Sequence, residues 1–172
     1  MKTLVIMPAY NEEINIEHII NGVKIYLPAA DILVIDDGSS DGTAMRAVKA
    51  GAEVYSHAVN LGYGQTLKTG YRHGVENGYD YILQLDADGQ HDPKYLPDIA
   101  DALRCHSVVI GSRFLDGDTY DIPFLRKAGM KMFSFIARRF TGERITDTTS
   151  GYRGMSAYAA EVCLRLPWEY PD

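Results

Sequence analysis

The stretch "YILQLDADGQHDP", residues 81–93, begins as an apolar run and ends among acids. Its first five residues have the apolar and aromatic composition of a buried strand. Three carboxylates follow, from Asp86, Asp88 and Asp92. Carboxylates are poor strand formers and are costly to bury unpaired, so a cation is expected to offset them. The stretch therefore predicts a strand that leads into a cation-binding turn.

Segments typical of strands and of helices alternate along the rest of the chain. Apolar runs predict five strands, at 3–7, 31–36, 53–58, 79–85 and 107–111. Helices are predicted from a cap at Asn11 to about Tyr26, at about 41–50, from 60–70 to about Asn77, from Asp92 and Pro93 onwards, and within "AYAAEVCLRL" (157–166). Because the strands are continuous apolar runs, both faces of the sheet should be covered. The pattern predicts an α/β fold, a Rossmann-like, doubly wound and mostly parallel sheet flanked by helices.

Length, charge and cysteine content limit the class of protein. A chain of 172 residues fits one domain, and we expect that domain to span 1–172. The net charge of −6 provides no basic field for phosphate backbones, which argues against a nucleic-acid partner. Cys105 and Cys163 lie outside any CxxC motif, which suits a reducing compartment. No signal peptide and no apolar run of about 18 residues is apparent, so we expect a cytoplasmic location.

Polar clusters follow four of the five predicted strands. They are "PAYNEE" (8–13), "DDGSSDGT" (36–43), "DADGQH" (86–91) and "GSRF" (111–114). Any one of them could be a plain capping loop. Ligands of doubly wound sheets bind beyond the carboxyl ends of the strands, so four clusters at that edge favour a functional site.

The third cluster has the chemistry of a metal site. Asp86, Asp88 and Gln90 are alternate residues leaving a strand, so their oxygens can point to one side. Oxygen ligands of this kind suit Mg²⁺ or Mn²⁺. An EF-hand loop beginning at Asp86 would need glycine and an acid where His91 and Pro97 stand, which excludes that motif. His91 could be a further ligand, although a lone histidine in a loop is more often not one.

The segment "NLGYGQTLKTG" (60–70) is similar to a phosphate-binding loop. Its glycine spacing is neither that of a Walker A motif nor GxGxxG, and the first βα turn has no glycine. An NAD-dependent dehydrogenase is therefore disfavoured. The glycines still permit close backbone approach at a helix N-terminus, and Lys68 could reach a donor phosphate.

Six motifs occur in the order found in family 2 glycosyltransferases: "PAYNEE", "VIDDGSSDGT", "NLGYGQTLKTG", "LDADGQHDP", "GSRF" and "TDTTSGYR". The sequence resembles above all the polyprenyl-phosphate branch, which includes dolichol-phosphate mannose synthase, and the resemblance runs from Leu4 to about Arg153. It implies the GT-A fold with Mg²⁺ or Mn²⁺ as cofactor. It also implies inverting transfer of a sugar from a GDP- or UDP-sugar to a polyprenyl phosphate, such as dolichyl or undecaprenyl phosphate.

The resemblance also implies roles for individual residues. Those implied on the nucleotide side are Pro8, Tyr10, Glu12, Asp36, Asp37, Gly38 and Asp86. Those implied as metal ligands are Asp86, Asp88 and Gln90. Those implied in catalysis are Asp88, Arg113 near the donor phosphates, and Arg126 and Arg153, with Ser134, at the lipid phosphate. Asp147 belongs to the segment that closes over the acceptor.

A phosphate acceptor explains the need for basic residues. Its second pKa is about 6, so its oxygen is already an anion near neutral pH. No general base is then required, whereas positive side chains must bring two phosphate groups together. A sugar or protein hydroxyl acceptor, the first alternative, would need a carboxylate as base. A non-catalytic nucleotide-binding domain is the second alternative.

The segment 124–142 has a basic helical face. Lys127, Lys131, Ser134 and Arg138 fall within a narrow stripe at 100° per residue, roughly opposite an apolar and aromatic face. Periodicity alone favours a helix packed on the core with a solvated face. The resemblance favours a peripheral helix on an anionic membrane, at its cytoplasmic side. Relatives usually continue beyond "RLPWEYPD", so we expect the catalytic domain to be truncated. The sequence leaves open the nucleotide base and the sugar of the donor, and the oligomeric state.

Overall fold

Strands from both ends of the chain form one sheet in the computed structural model, which describes residues 1–112, 139 and 150–166. The strands are β1 (Thr3–Ala9), β2 (Asp31–Asp36), β3 (Glu53–Ser56), β4 (Tyr81–Gln84), β5 (Val108–Ile110) and β6 (Arg153–Ser156). Their order across the sheet is β3-β2-β1-β4-β6-β5. Strands β1 to β4 are parallel, and β6 runs antiparallel to both of its neighbours. The predicted mostly parallel α/β sheet is confirmed.

Helices cover both faces of this sheet. They are α1 (Ile16–Tyr26), α2 (Thr43–Lys49), α3 (Tyr63–Glu76), α4 (Leu96–Ala102) and α5 (Ala157–Arg165). On β1, Val5 and Met7 pack in one buried cluster with side chains of α1, α2 and α4. Leu4 and Ile6, which point the other way, pack in a second cluster with α3 and α5. The continuous apolar composition of β1 is thus explained by burial on both sides.

Helix α3 packs closely on the sheet at Gly70. A Cβ added at Gly70 would come within 2.9 Å of Ile35 Cδ1 and 3.0 Å of Ile6 Cδ1. Glycine at this position therefore allows the helix to pack on β1 and β2. The sequence interpretation placed Gly70 with the glycines of a phosphate-binding loop, and this was wrong because Gly70 lies in the second turn of a helix whose buried side faces the core.

The first helix begins later than the predicted cap at Asn11. Asn11 has a φ of 56°, in the left-handed region, and is fastened to the loop after β2. Its backbone N–H donates to Ser39 Oγ at 2.9 Å, and its Oδ1 accepts from the N–H of Ser40 at 2.9 Å. Asn11 therefore joins two loops instead of capping a helix, and α1 begins at Ile16.

The helix predicted from Asp92 begins as a 3₁₀ turn, Pro93–Tyr95, and continues as α4. Asp92 is its N-cap as predicted, since its carboxylate accepts from the N–H of Lys94.

Strand β6 was not predicted, because "RGMS" contains no apolar run. Its Gly154 lies so close to α4 that a Cβ would meet Ile99 Cγ2 at 2.7 Å.

The predicted membrane-surface helix at 124–142 lies outside the described residues. Within the ranges that the structure does describe, no helix has the length and apolar character needed to cross a bilayer.

Candidate active site

A cavity of about 330 Å³ opens at the carboxyl ends of β1, β2 and β4, where doubly wound sheets bind their ligands. The predicted site residues that line it are Pro8, Tyr10, Glu12, Asp37, Asp86 and Asp88. The first turn of α3 and the loop before it add Asn60, Gly62, Tyr63 and Thr66. The cavity thus brings together acids from the ends of β2 and β4 with the start of α3.

The loop after β1 is held against the loop after β2. The N–H of Glu12 donates to Thr43 Oγ1 at 2.8 Å, and the N–H of Gly42 donates to a carboxylate oxygen of Glu13 at 2.9 Å. Tyr10 lines the cavity while half of its surface, 50%, stays exposed. An aromatic ring in this position can stack on a planar group of a ligand.

Asp36 and Gly38 shape the turn after β2 and are not among the residues that line the cavity. Asp36 is buried, and its Oδ1 accepts from the N–H of Ser39 at 3.2 Å. Gly38 has a φ of 73°, and a Cβ there would meet the carbonyl carbon of Val59 at 2.7 Å. Glycine is therefore required where the β2 turn passes the loop before α3.

Asp37, in the turn after β2, accepts three hydrogen bonds from residues after β3 and before α3. Its Oδ1 accepts from His57 Nδ1 at 2.7 Å and from the N–H of Leu61 at 3.0 Å, and its Oδ2 accepts from the N–H of Gly62 at 2.9 Å. Burial alone would raise the pKa of Asp37. The hydrogen bonds from His57 and from the two backbone groups outweigh burial and hold the pKa below its usual value. Asp37 is therefore ionised at neutral pH.

Asp86 ends a line of hydrogen bonds that begins in the core. Tyr71 Oη donates to Gln84 Oε1 at 2.7 Å, Gln84 Nε2 donates to Tyr63 Oη at 2.7 Å, and Tyr63 Oη donates to Asp86 Oδ1 at 2.8 Å. Gln84 is fully buried in β4. A Cβ at Gly151 would overlap the Asp86 carboxylate, so glycine lets the chain pass directly over it.

The electrostatics of Asp86 are opposite to those of Asp37. Burial raises the pKa of Asp86, and the charge of Asp88 adds to this effect against the lowering effect of the Tyr63 hydrogen bond. Loss of hydration at the hydroxyl of Tyr63, together with the charge of Asp86, raises the pKa of that phenol. Tyr63 therefore keeps its proton and serves as the donor to Asp86.

Asp88, Gln90 and His91 differ in position. Asp88 is exposed, lines the cavity and accepts from the N–H of Gln90 at 2.9 Å. The Gln90 side chain is exposed and is not among the lining residues. His91 is buried, with its ring 5.2 Å from that of Tyr152. A positive charge on His91 would lower the pKa of Asp86, and whether His91 is a metal ligand stays a prediction.

The acids of the β4 motif fit a divalent cation. Asp86 and Asp88 line one cavity. The pKa of Asp86 is raised first by burial and then by the charge of Asp88, so keeping the Asp86 carboxylate ionised there is costly. A bound cation would offset that cost. Among the described residues no group of three or more His, Cys, Asp or Glu side chains could hold a metal. The remaining ligands would come from Gln90, water or a bound phosphate, as is usual for Mg²⁺ and Mn²⁺.

The predicted basic residues are only partly described. Arg153, at the start of β6, donates from Nε and Nη2 to the carbonyl oxygen of Ser150, at 3.1 and 2.6 Å. Lys68 is half-buried on α3 and is not among the residues that line the cavity. Its contact with a donor phosphate stays a prediction. Arg113, Arg126, Ser134 and Asp147 lie outside the described residues.

Sequence reasoning missed His57, Tyr63 and Gln84. His57 follows β3, so a polar residue at the end of a strand was the available indication. Tyr63 lies within the glycine-rich motif, but that motif was interpreted through its glycines and Lys68. Gln84 is a polar residue in an apolar strand, which is a reason to look for a buried hydrogen-bond partner.

Comparison with known proteins identifies the class to which this fold and site belong. The family model for glycosyl transferase family 2 matches residues 4–164. The chain belongs to this family, which confirms the predicted family and class of enzyme.

Curated relatives and solved structures agree with this assignment. The chain is 36% identical to the undecaprenyl-phosphate mannosyltransferase of Micrococcus luteus, over 94% of its own length and 68% of the relative. It is also 36% identical to the polyprenol monophosphomannose synthase of Mycolicibacterium smegmatis, over 96% of its own length and 64% of the relative. The chain thus spans about two thirds of these proteins. A glucosyl-3-phosphoglycerate synthase from Mycobacterium tuberculosis, solved with Mn²⁺ and UDP-glucose, has the same fold, with a TM-score of 0.69 and 24% identity over 91% of this chain and 56% of that one.

Proposed function

We propose that this chain carries out a metal-dependent, inverting transfer of a sugar from a nucleotide-diphosphate sugar to a polyprenyl phosphate. The observation that carries this proposal is the cavity itself. Asp37 lies at one strand end, while the Asp86 and Asp88 pair lies at another, and all three line the same space. Residues 1–172 would belong to a single catalytic domain.

The nucleotide part of the donor would bind near Asp37. The carboxylate of Asp37 is ionised and retains accepting capacity, so it suits an N–H or O–H group of a base or ribose. Tyr10 provides a half-exposed ring in the same cavity, which Pro8 and Glu12 also line. The Mycobacterium tuberculosis protein of the same fold was solved with a nucleotide sugar, which supports this class of donor.

Asp86 and Asp88, with Gln90, would hold Mg²⁺ or Mn²⁺. When bound, the ion would neutralise the nucleoside diphosphate as it leaves the sugar. Tyr63 would keep the Asp86 carboxylate in place through its 2.8 Å hydrogen bond. The buried Gln84 would in turn hold the Tyr63 hydroxyl, through a contact of 2.7 Å.

The acceptor would be a polyprenyl monophosphate, since both bacterial relatives are named for sugar transfer to such a lipid. One oxygen of its phosphate would attack the anomeric carbon on the face opposite the diphosphate. A bond from carbon to phosphate oxygen forms as the bond to the diphosphate breaks, and no proton changes place. Arg153, with Arg113 and Arg126, would offset the repulsion between the phosphate groups. The basic segment at 124–142 would place the protein at the cytoplasmic face of an anionic membrane.

Transfer of a labelled sugar to undecaprenyl phosphate in vesicles tests this proposal. GDP-mannose, UDP-glucose and UDP-N-acetylglucosamine would be compared as donors, with Mn²⁺ and with EDTA. We expect lipid-linked sugar from at least one donor, only with the metal, and no product from the Asp88→Ala variant. Transfer to a free sugar but not to the lipid phosphate would favour the hydroxyl-acceptor alternative. Nucleotide binding without any transfer would favour a non-catalytic domain.

A further inference from the structure

His57 is buried against Asp37 and is not itself among the residues that line the cavity. The side chains of the two residues are 6% and 5% exposed. His57 Nδ1 lies 2.7 Å from Asp37 Oδ1, and its Nε2 lies 3.0 Å from Thr69 Oγ1 on α3. Because an ionised carboxylate can only accept, Nδ1 must carry the proton in this contact.

The His57 ring is fixed on several sides. Its backbone N–H donates to the carbonyl oxygen of Asp36 at 2.9 Å, which ties it to the end of β2. The ring of Tyr55 meets it edge-on, at 5.8 Å between centroids. The contact with Thr69 ties it to α3. A ring held in this way can fix the orientation of the carboxylate that it contacts.

The orientation leaves one part of Asp37 available. A carboxylate offers about four acceptor positions, two on each oxygen. His57 and the N–H of Leu61 use both positions of Oδ1, whereas the N–H of Gly62 uses one position of Oδ2. Among the donors that the described part of the chain supplies, none takes the second position on Oδ2, which therefore remains on a residue that lines the cavity.

We propose that His57 is a positioning residue for the nucleotide donor: by occupying Oδ1, it presents the remaining position of Asp37 Oδ2 to an N–H or O–H group of the base or ribose. The inference rests on the proposed function, because it takes a nucleotide as the ligand. It assigns His57 no contact with the donor. Its effect on binding must therefore pass entirely through Asp37.

Substitutions of His57 separate its two ring nitrogens. Asparagine places an amide N–H close to the position of Nδ1, so His57→Asn keeps the donor to Asp37 and loses the contact with Thr69. His57→Phe keeps a ring but loses both contacts. Asp37→Asn keeps an acceptor for His57 while it removes the Oδ2 acceptor. His73→Phe is the control, because it makes the same chemical change on α3, at a histidine that does not line the cavity and lies 3.9 Å from Glu53.

Affinities for GDP and for UDP, each with Mn²⁺, would be measured by calorimetry on the full chain. We expect His57→Phe to weaken the preferred nucleotide about tenfold or more, since hydrogen bonds to charged groups have effects of this size. The affinity of His57→Asn should stay within about threefold of that of the parent, because asparagine still donates a hydrogen bond to Asp37. The affinity of His73→Phe should equal that of the parent. In the Asp37→Asn background, His57→Phe should have no further effect, because the Oδ2 acceptor is already gone.

A spectroscopic measurement on the parent chain covers the case in which His57→Phe fails to fold. The Nδ1 proton of His57 should give a downfield imidazole resonance that shifts when nucleotide binds, because Asp37 then shares its charge with a second donor. If the chemical shift of this resonance does not change when nucleotide binds, the inference is overturned. The same holds if a folded His57→Phe variant binds nucleotide with the affinity of the parent. If the parent binds neither GDP nor UDP, the proposed function fails and the inference fails with it; binding with no coupling to Asp37 overturns the inference alone.

Discussion

The hydroxyl of Tyr63, in the first turn of α3, donates a 2.8 Å hydrogen bond to Oδ1 of Asp86, beyond the end of β4. The same hydroxyl accepts from Gln84 Nε2 at 2.7 Å, so it is oriented from within the core. Gln84 is a fully buried amide in a central strand, and buried polar groups are costly unless they are satisfied. The hydrogen-bond line from Gln84 through Tyr63 to Asp86 offsets that cost and fixes a candidate metal ligand.

The main effect of Tyr63→Phe should therefore be a lower affinity for the metal ion, with a smaller effect on the stability of the fold. Partners that orient a metal ligand typically contribute about 10- to 100-fold to metal affinity, so we expect the Mn²⁺ affinity of the nucleotide complex to fall about tenfold. Titration calorimetry or Mn²⁺ paramagnetic resonance would measure it. Tyr26→Phe makes the same chemical change at an exposed position and should leave affinity unaltered. Equal affinities in both variants would contradict a positioning role for Tyr63.

Asp37 and Asp86 should affect stability with opposite signs. The folded-state pKa of Asp37 is lowered below the usual 3.8, so Asp37 contributes stability that is present above about pH 3.8 and is lost as pH falls through the lowered value. Asp37→Asn should destabilise the protein at pH 7 by about 1–3 kcal/mol, because it leaves a buried N–H without its acceptor. Urea unfolding at several pH values would show this difference shrinking below about pH 3.8.

The folded-state pKa of Asp86 is raised above 3.8, so its ionisation costs stability as pH rises through that raised value. Asp86→Asn should therefore raise the melting temperature of the metal-free protein at pH 7, by about 2–4 °C for each kcal/mol gained. Asparagine keeps an oxygen that can accept from the Tyr63 hydroxyl. The variant and the parent therefore share this hydrogen bond and differ in the charge at residue 86. With EDTA present, the difference from the parent should vanish near pH 3.8. A lower melting temperature at pH 7 would show that the Asp86 charge is already compensated.

Local patterns predicted much of the fold and part of the site. Apolar runs predicted the five strands β1 to β5. In β1, β2 and β4 that composition reflects burial on both faces of the sheet. The Asp92 and Pro93 pair predicted the start of the helix at α4, because that start depends on neighbours in the sequence. The motifs placed Asp37, Asp86 and Asp88 at one edge of the sheet, since parallel strands bring their carboxyl ends together.

The features that were missed depend on contacts distant in sequence. Strand β6 pairs with β4 some 70 residues away, through the register of Gln84 with Arg153, and nothing in "RGMS" announces a strand. The hydrogen bond of His57 with Asp37 spans 20 residues, and that of Tyr63 with Asp86 spans 23. The late start of α1 has the same origin, because Asn11 is fastened to Ser39 and Ser40.

The basic stripe in 124–142 leads to a prediction about membranes. Replacing Lys127, Lys131 and Arg138 together by Glu should weaken binding to anionic vesicles by several kcal/mol, at about 1 kcal/mol per basic residue near such a surface. Nucleotide binding should change little. Replacing the exposed residues Lys49, Arg104 and Arg165 by Glu changes the net charge equally and serves as the control. Vesicle sedimentation that falls equally in both triple variants would indicate a general charge effect and no membrane-facing helix.

The mechanism can be tested through the ionisation of the acceptor. A lipid phosphate has no proton to lose once ionised, so transfer should rise with pH through its second pKa, about 6, and then level off. A hydroxyl acceptor needs an enzyme base, whose removal costs roughly 10²- to 10⁴-fold in rate. Asp116 and Asp118, which follow "GSRF", are the candidates for such a base. Under the lipid-phosphate mechanism, Asp116→Ala and Asp118→Ala should have little effect.

Positive charge should matter more than either acid. Arg153→Ala and Arg126→Ala should each lower turnover on undecaprenyl phosphate about 10²-fold, as expected for loss of one group that stabilises developing or opposed charge. Arg104→Ala, which removes an exposed arginine paired with Asp101 on the surface, should leave turnover unchanged. Steady-state transfer by the five variants, from pH 5 to pH 8, provides the measurement. If an Asp116 or Asp118 variant loses 100-fold while both arginine variants stay active, the acceptor is a hydroxyl and the lipid-phosphate mechanism is wrong.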